Sequence, residues 1–347
     1  MAGSLSEDEA VSREEAEQFV AQAFERVDAK IFDEAFFQAE RERAKAAVLD
    51  AVARNPEQKR IELARLVDSE FRKAGMSHLR VVPPSALRKL GERLAPQAKD
   101  VERVSARMVG DIGIVRIPSF LVPEISLKDV QAAFRSVSGA RAMLIDLRDN
   151  GGGSISSVIY VAQYLLGPKR TVGIGRTRAG MSRQEPLVFA GFFPDEQNVA
   201  SRADVALKRR EGYVVWRTPD TVAEVVSVPT FLLIDNGCGS ACEAFSAAIR
   251  EHHAAVLMGE RTLGGLLGSV LFKSAWPGYA LLVPVSAEYS PSGALVEGVG
   301  VPVDVEIEAC KLADVSEADQ VRRAPECIEE ALRLVRSRLQ PEAAANP

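Results

Sequence analysis

Two glycine-rich stretches hold the residues best suited to chemistry, and each runs from a short apolar segment into a helical one. The first is Asp146-Leu-Arg-Asp-Asn-Gly-Gly-Gly-Ser154. Three successive glycines let the backbone come close to a ligand, and the start of the following helix directs N–H groups at an anion. Such a turn serves a phosphate or the oxyanion of an acyl-transfer transition state, although a plain strand-to-helix turn has the same look. It lacks the Gly-Lys-Ser/Thr of a Walker loop and the Gly-x-Gly-x-x-Gly of dinucleotide sites. The second stretch is Asp235-Asn-Gly-Cys-Gly-Ser-Ala-Cys-Glu243, with Ser240 at the helix start. A serine there is either an ordinary N-cap or a nucleophile. As a nucleophile, its developing oxyanion would meet the N–H groups of Gly152, Gly153 and Ala241. The Gly-x-Ser-x-Gly elbow is not matched, which disfavours the α/β-hydrolase fold. Cys238 and Cys242 flank Ser240 and are rival nucleophiles, but read better as packing residues.

The elements that must position these turns follow from periodicity. Val20, Ala23, Phe24 and Val27, then Ile31, Phe32, Ala35 and Phe36, recur at helical spacing, and Asn55-Pro56 precedes a third helical segment over 57–73. The spacing therefore predicts a helical N-terminal domain over 1–75 and a connecting segment over 76–110. A catalytic core over 111–310 follows, and then a C-terminal helix and tail over 311–347. Within the core, apolar strands near 112–117, 142–147, 229–234 and 255–258 alternate with helices over 127–136, 154–166 and 241–251. Buried strands alternating with helices predict an α/β fold with a largely parallel sheet. Segments near 270–272 and 279–285, separated by Trp276-Pro-Gly, read as a hairpin. Residues 178–210 read as a long, mostly irregular excursion. Its Phe189, Phe192 and Phe193 are candidates to cover the site and bind apolar substrate side chains. The Ala/Pro-rich end reads as disordered.

Composition narrows the function. Forty-three Lys+Arg against 48 Asp+Glu give a net charge of −5, which argues against a nucleic-acid or anionic-membrane partner. No apolar run approaches the length of a membrane span, and the first residues lack the basic and apolar stretches of a secretory signal. The chain therefore reads as cytoplasmic, with a trimmed exported form as the other reading. Four cysteines without a Cys-x-x-Cys pair and three histidines make zinc improbable, and no cofactor is called for. Buried free thiols suit a cytosol, while Cys310 and Cys327 are spaced to bridge in an exported protein. Oligomeric state stays open.

Taken together, the two turns resemble those of the tricorn and carboxy-terminal processing serine peptidases. Leu144-Ile-Asp-Leu-Arg-Asp-Asn-Gly-Gly-Gly153 is similar to their Asp-Leu-Arg-x-Asn-x-Gly-Gly element. Gly239-Ser-Ala-Cys-Glu243 with Val256-Leu-Met-Gly-Glu-Arg-Thr262 resembles their nucleophile helix and next strand. Glu288-Tyr-Ser-Pro-Ser-Gly293 and Glu297-Gly-Val-Gly-Val-Pro-Val-Asp304 resemble later segments, so the likeness runs over roughly residues 57–308. It implies a ClpP/crotonase-like β/α core and a nucleophile at Ser240. Processing members carry a lysine 25 residues past the serine, where this chain has Gly265, and Lys273 is the nearest lysine. The tricorn branch instead uses a Ser-His pair and a late glutamate. Ala74-Gly-Met-Ser-His-Leu-Arg80 resembles that element, which implies His78 as general base with Ser77 and Glu297 orienting it. The bland alternatives are a satisfied polar histidine and a turn glutamate, while His252 and His253 suit a helix C-terminus. The segment 81–111 is too short for the PDZ domain common in such enzymes, and Ala241 gives no support for basic specificity. The sequence thus predicts a metal-independent serine peptidase acting on peptides or unfolded proteins. The rivals are an apolar-ligand binder of the interphotoreceptor retinoid-binding kind and acyl-CoA chemistry of the crotonase kind.

Overall fold

The computed structural model describes residues 7–339 except 56, 94, 96–100, 122–123, 194–198 and 312–316. The Ala/Pro-rich end that the sequence reads as disordered lies outside the described residues.

The N-terminal part holds strands β1 (Ala10–Val11), β2 (Gln58–Lys59) and β3 (Arg80–Val82). Its helices are α1 (Arg13–Lys30), α2 (Gln38–Arg54), α3 (Arg60–Lys73) and α4 (Pro84–Arg93). Ser12 caps α1 with a reciprocal Ser–Glu15 box, and Ala16, Phe19, Val20, Ala23, Phe24 and Val27 form its buried stripe. Those side chains share a core with Leu267, Trp276, Leu281 and Val283 of a later hairpin, and Phe19 stacks on Trp276 with ring centroids 3.7 Å apart.

The rest of the chain runs β4 (Ser105–Val109), β5 (Ile112–Arg116), α5 (Leu127–Ser136), β6 (Ala142–Asp146), α6 (Ile155–Leu166), β7 (Thr171–Thr177), β8 (Leu187–Ala190) and α7 (Val199–Glu211). It continues with β9 (Tyr213–Arg217), β10 (Thr230–Ile234), α8 (Ala241–Glu251), β11 (Val256–Gly259), β12 (Leu267–Lys273), β13 (Ala280–Tyr289), β14 (Val305–Glu306) and α9 (Glu317–Leu339). The first large sheet has the order β14-β11-β10-β6-β5-β4, parallel except for β4 at its edge. Met143, Ile145, Leu232, Ile234 and Leu257 point to the face covered by α5, α6 and α8. Alternating with them, Ala142, Leu144, Phe231, Leu233 and Met258 face α9. Burial on both faces is why these strands read as unbroken apolar runs.

The second sheet, β12-β13-β7-β9-β8 with β3 also on β13, is mostly antiparallel; its β12–β13 pair is the hairpin expected from the sequence, while its other strands were not expected. The excursion at 178–210 is likewise not irregular: it contains a 3₁₀ turn, β8 and most of α7. The expectation of free thiols is also overturned. Cys238 is bridged to Cys242 and Cys310 to Cys327, and no free cysteine exists among the described residues. The fold brings their Cα atoms to 5.4 and 4.8 Å respectively, close enough to bond.

Candidate active site

β6 and β10 lie side by side in parallel, with Asp146 opposite Leu233. That register sends both glycine turns out of the same sheet edge. The turns are laced together: the Asp149 N–H donates to Asp235 Oδ1 (2.9 Å) and the Gly239 N–H to the Asn150 carbonyl (3.1 Å). Arg148 pairs with Asp146 at 2.8 Å, and Asn150 Nδ2 donates to the Ile117 carbonyl at 2.9 Å.

Ser240 leads into α8 with φ 54° and ψ −121°, not the extended conformation usual at an N-cap. The Cys242 N–H donates to the Gly239 carbonyl at 3.0 Å, closing a turn with Ser240 at its first central position. Positive φ with ψ near −120° at that position marks a type II′ turn, where glycine is the usual residue. A non-glycine residue held there costs on the order of 1–3 kcal/mol, and such strain clusters at functional sites.

Gly152 is packed against this turn, since a Cβ on it would meet Ser240 Cβ at 2.6 Å and the Ala241 nitrogen at 2.8 Å. Its own N–H is donated to Asn150 Oδ1 (2.9 Å), so Gly152 is not a free oxyanion donor, contrary to the sequence expectation. Gly153 and Ala241 both line the cavity beside Ser240, and α8 begins at Ala241, where the first N–H groups of a helix have no partner within it.

That cavity holds about 250 Å³ and is walled by Leu121, Ile155, Ile174, Trp216 and Ala244. At one end Lys208 Nζ pairs with Glu288 Oε1 at 2.5 Å, and the Ser286 hydroxyl donates to the same oxygen at 2.7 Å. Asp204, one turn earlier on α7, accepts from the Ser154 and Ser156 hydroxyls at 2.8 and 2.7 Å. Phe189, Phe192 and Phe193 do not line this cavity. Phe189 stacks on Phe193 and edges against Trp216, while Phe192 packs edge-on against Tyr160.

Glu297, 220 residues further along the chain, is brought to the adjacent Ser77 and His78. The Ser77 hydroxyl donates to Glu297 Oε2 (2.9 Å) and lies 2.6 Å from His78 Nδ1; the Ser77 N–H donates to Glu297 Oε1 (2.9 Å). Since the hydroxyl proton goes to the carboxylate, Nδ1 must supply the proton of the other bond, which leaves Nε2 as the basic nitrogen. Burial pushes His78 down to about 4 and Glu297 above the usual carboxylate range.

Gly265 joins this trio to the serine. Its carbonyl accepts the Ser240 N–H at 2.9 Å, and a Cβ on it would lie 3.1 Å from Ser77 Cβ. The loop is pinned by Glu243, which the sequence reading does not single out although Ser-x-x-Glu at 240–243 is the capping-box spacing. Glu243 is fully buried and accepts from the Thr262 hydroxyl (2.6 Å) and from the N–H groups of Gly264 (2.6 Å), Gly265 (2.7 Å) and Ser240 (3.2 Å). Lys273 ends β12, opposite Ala280 in the hairpin. His252 Nε2 is 2.7 Å from the Thr171 carbonyl.

The family model of peptidase family S41 matches residues 111–307, which include both glycine turns and Glu297. The chain belongs to peptidase family S41. Among family relatives, the carboxy-terminal-processing protease of Bartonella bacilliformis is 26% identical over 215 residues, 60% of this chain and 41% of that one. The tricorn protease of Thermoplasma volcanium is 23% identical over 232 residues, covering 66% of this chain and 18% of that one. This S41 chain thus spans about two-fifths or less of the curated relatives it matches. In fold it is similar to the photosystem II D1 C-terminal processing protease, with a TM-score of 0.51 and 15% identity over 84% of this chain and 93% of that one. The tricorn protease crystal structure gives a TM-score of 0.51 with 14% identity over 91% of this chain and 37% of that one. His78 and Ser77 lie outside the stretch that the family model matches.

Proposed function

We propose that this chain is a serine peptidase that cleaves peptide bonds through an acyl-enzyme on Ser240, with His78 as general base. The observation that carries this is the serine's strained turn, whose amide is bonded to the very residue, Gly265, that packs against the Ser77–His78–Glu297 relay. His78 Nε2 takes the Ser240 proton as the hydroxyl attacks the carbonyl carbon. The N–H groups of Gly153 and Ala241 receive the oxyanion, and the imidazolium then protonates the leaving amine. Glu297, through Ser77, holds the tautomer and supports the transient positive charge. An apolar-ligand binder needs neither a strained serine nor a histidine relay, and acyl-CoA chemistry of the crotonase kind has no use for Ser240. The same reading takes extended peptides as substrates, with one apolar side chain of the chain entering the cavity beside Ala244.

The cysteines bear on the compartment. Two bridged pairs fit an oxidising compartment and weigh against the cytoplasmic expectation. Among the described residues, no helix is long and apolar enough to cross a membrane.

The test is hydrolysis of an unstructured fluorogenic peptide by the wild type and by Ser240→Ala. The variant should lose turnover by about 10³-fold or more while its thermal midpoint stays within about 2 °C. Equal turnover would remove Ser240 from the mechanism.

A further inference from the structure

The Cys238–Cys242 bridge closes a ring over Gly239, Ser240 and Ala241, the serine and one of its two oxyanion donors. Within the ring lies the type II′ turn, with Ser240 at φ 54°. A residue bearing a Cβ keeps such a conformation only where its surroundings over-determine it. The other restraints on the turn are packing and hydrogen bonds: Gly152 lies against Ser240, and Glu243 Oε2 accepts the Ser240 N–H at 3.2 Å. The Leu263 N–H donates to the Cys238 carbonyl (3.0 Å), the Gly239 N–H to Asn150 and the Ser240 N–H to Gly265. The bridge alone ties the residue before the turn to the first turn of α8 by a covalent link. Both cysteines are fully buried, in the core that contains Phe245 and Leu266. The second bridge, Cys310–Cys327, lies in the core on the other face of the sheet, beneath α9 with Ile307, Ala331 and Val335.

We propose that the Cys238–Cys242 bridge is a positioning element for the hydrolytic reaction: it locks Ser240 and the Ala241 N–H in the turn from which both act, so that turnover depends on the bridge being closed. This rests on the serine-peptidase reading. Opening the bridge is a two-electron reduction. A dithiol supplies two electrons and two protons, the S–S bond gives two thiols, and the dithiol becomes a cyclic disulfide. With the ring open, Ser240 is free to relax to negative φ, and its hydroxyl and the Ala241 N–H leave their shared alignment. The loss falls on kcat and not on KM, because the cavity walls at Leu121, Ile174 and Trp216 are carried by other elements.

The experiment compares the full chain, Cys238→Ala/Cys242→Ala and Cys310→Ala/Cys327→Ala, each before and after dithiothreitol, with alkylation and mass spectrometry reporting which bridge is open. Two quantities are read: kcat and KM on an unstructured peptide, and amide hydrogen exchange over residues 238–243. Opening the 238–242 bridge, by dithiol or by alanine, should lower kcat by about 10²-fold, the scale of losing one oxyanion donor, with KM within about twofold. Exchange over 238–243 should quicken, and reoxidation of the wild type should restore both. The Cys310→Ala/Cys327→Ala chain should keep its kcat and the same response to dithiol. The proposal is overturned if kcat and exchange are unchanged with the 238–242 bridge open, or if the response follows the 310–327 bridge. An oxidised wild type with no turnover would count against the peptidase reading itself, and the exchange of 238–243 would still decide whether the bridge holds the turn.

Discussion

Gly265 faces Ser77: a Cβ on Gly265 would lie 3.1 Å from Ser77 Cβ and 3.4 Å from its hydroxyl oxygen. Position 265 is where, by resemblance, lysine-using processing proteases carry their base. In this chain a side chain there would press on Ser77, which would have to give by a few tenths of an ångström. Gly265 is not at positive φ, so its backbone admits a side chain. Gly265→Lys should therefore cut kcat/KM by about 10-fold or more by displacing Ser77. Added to Ser77→Gly/His78→Ala, the lysine should recover part of the lost activity. Steady-state kinetics of the single and triple variants checks this, and an unimpaired Gly265→Lys enzyme would contradict it.

The pH profile follows from burial. An imidazole with a folded value of about 4 stays unprotonated, and so competent as a base, far below the ordinary histidine range. kcat/KM should stay level as pH falls from 8 to about 5, then drop as pH passes through about 4. Glu297→Gln removes the carboxylate behind Ser77 and should lower kcat by about 10²-fold. A profile with its inflection between about 6 and 7 would mean that His78 is solvated or that another group serves.

Glu243 holds the loop that links Ser240 to Ser77, with four donors on one buried carboxylate. Glu243→Ala strands those donors and should destabilise the fold by about 3 kcal/mol, seen as a lower midpoint in denaturant. Glu243→Gln keeps the shape but brings two N–H groups towards a set of donors, so kcat should fall even where the fold persists. Full activity in both variants would make the loop independent of Glu243.

The cavity can be read by filling it. Ala244 lies on its wall, so Ala244→Phe should raise KM for peptides with a large apolar side chain by about 10-fold and leave those with alanine nearly unchanged. Equal effects on both classes would mean that substrate side chains bind elsewhere.

The parts of this protein that were legible in the sequence are those that follow simple periodicities or compact motifs. The apolar runs of β5, β6 and β10, the helical stripe of α1 and the turns at Asn150–Gly153 and Gly239–Ala241 belong to this group. α7 was hidden because its buried face carries Asp204 and Lys208, four residues apart, so the positions that should have read apolar are charged. β8 was hidden because it is a short edge strand with Leu187 and Val188 exposed. The disulfides depend on which Cα atoms the fold brings within bonding range, and spacing alone does not fix that. Gly152 looked like an oxyanion donor by type, but the Asn150 side chain two residues earlier accepts its N–H.

In the proposed reaction Ser240 is the nucleophile and His78 activates it. Its most direct test is labelling of the folded chain by a fluorophosphonate, with the adduct located by peptide mass spectrometry and its rate measured in wild type and His78→Ala. One adduct is expected, on Ser240, forming about 10³-fold more slowly or not at all in the variant. A folded wild type that takes no label at Ser240, or a His78→Ala chain labelled at the wild-type rate, would contradict it.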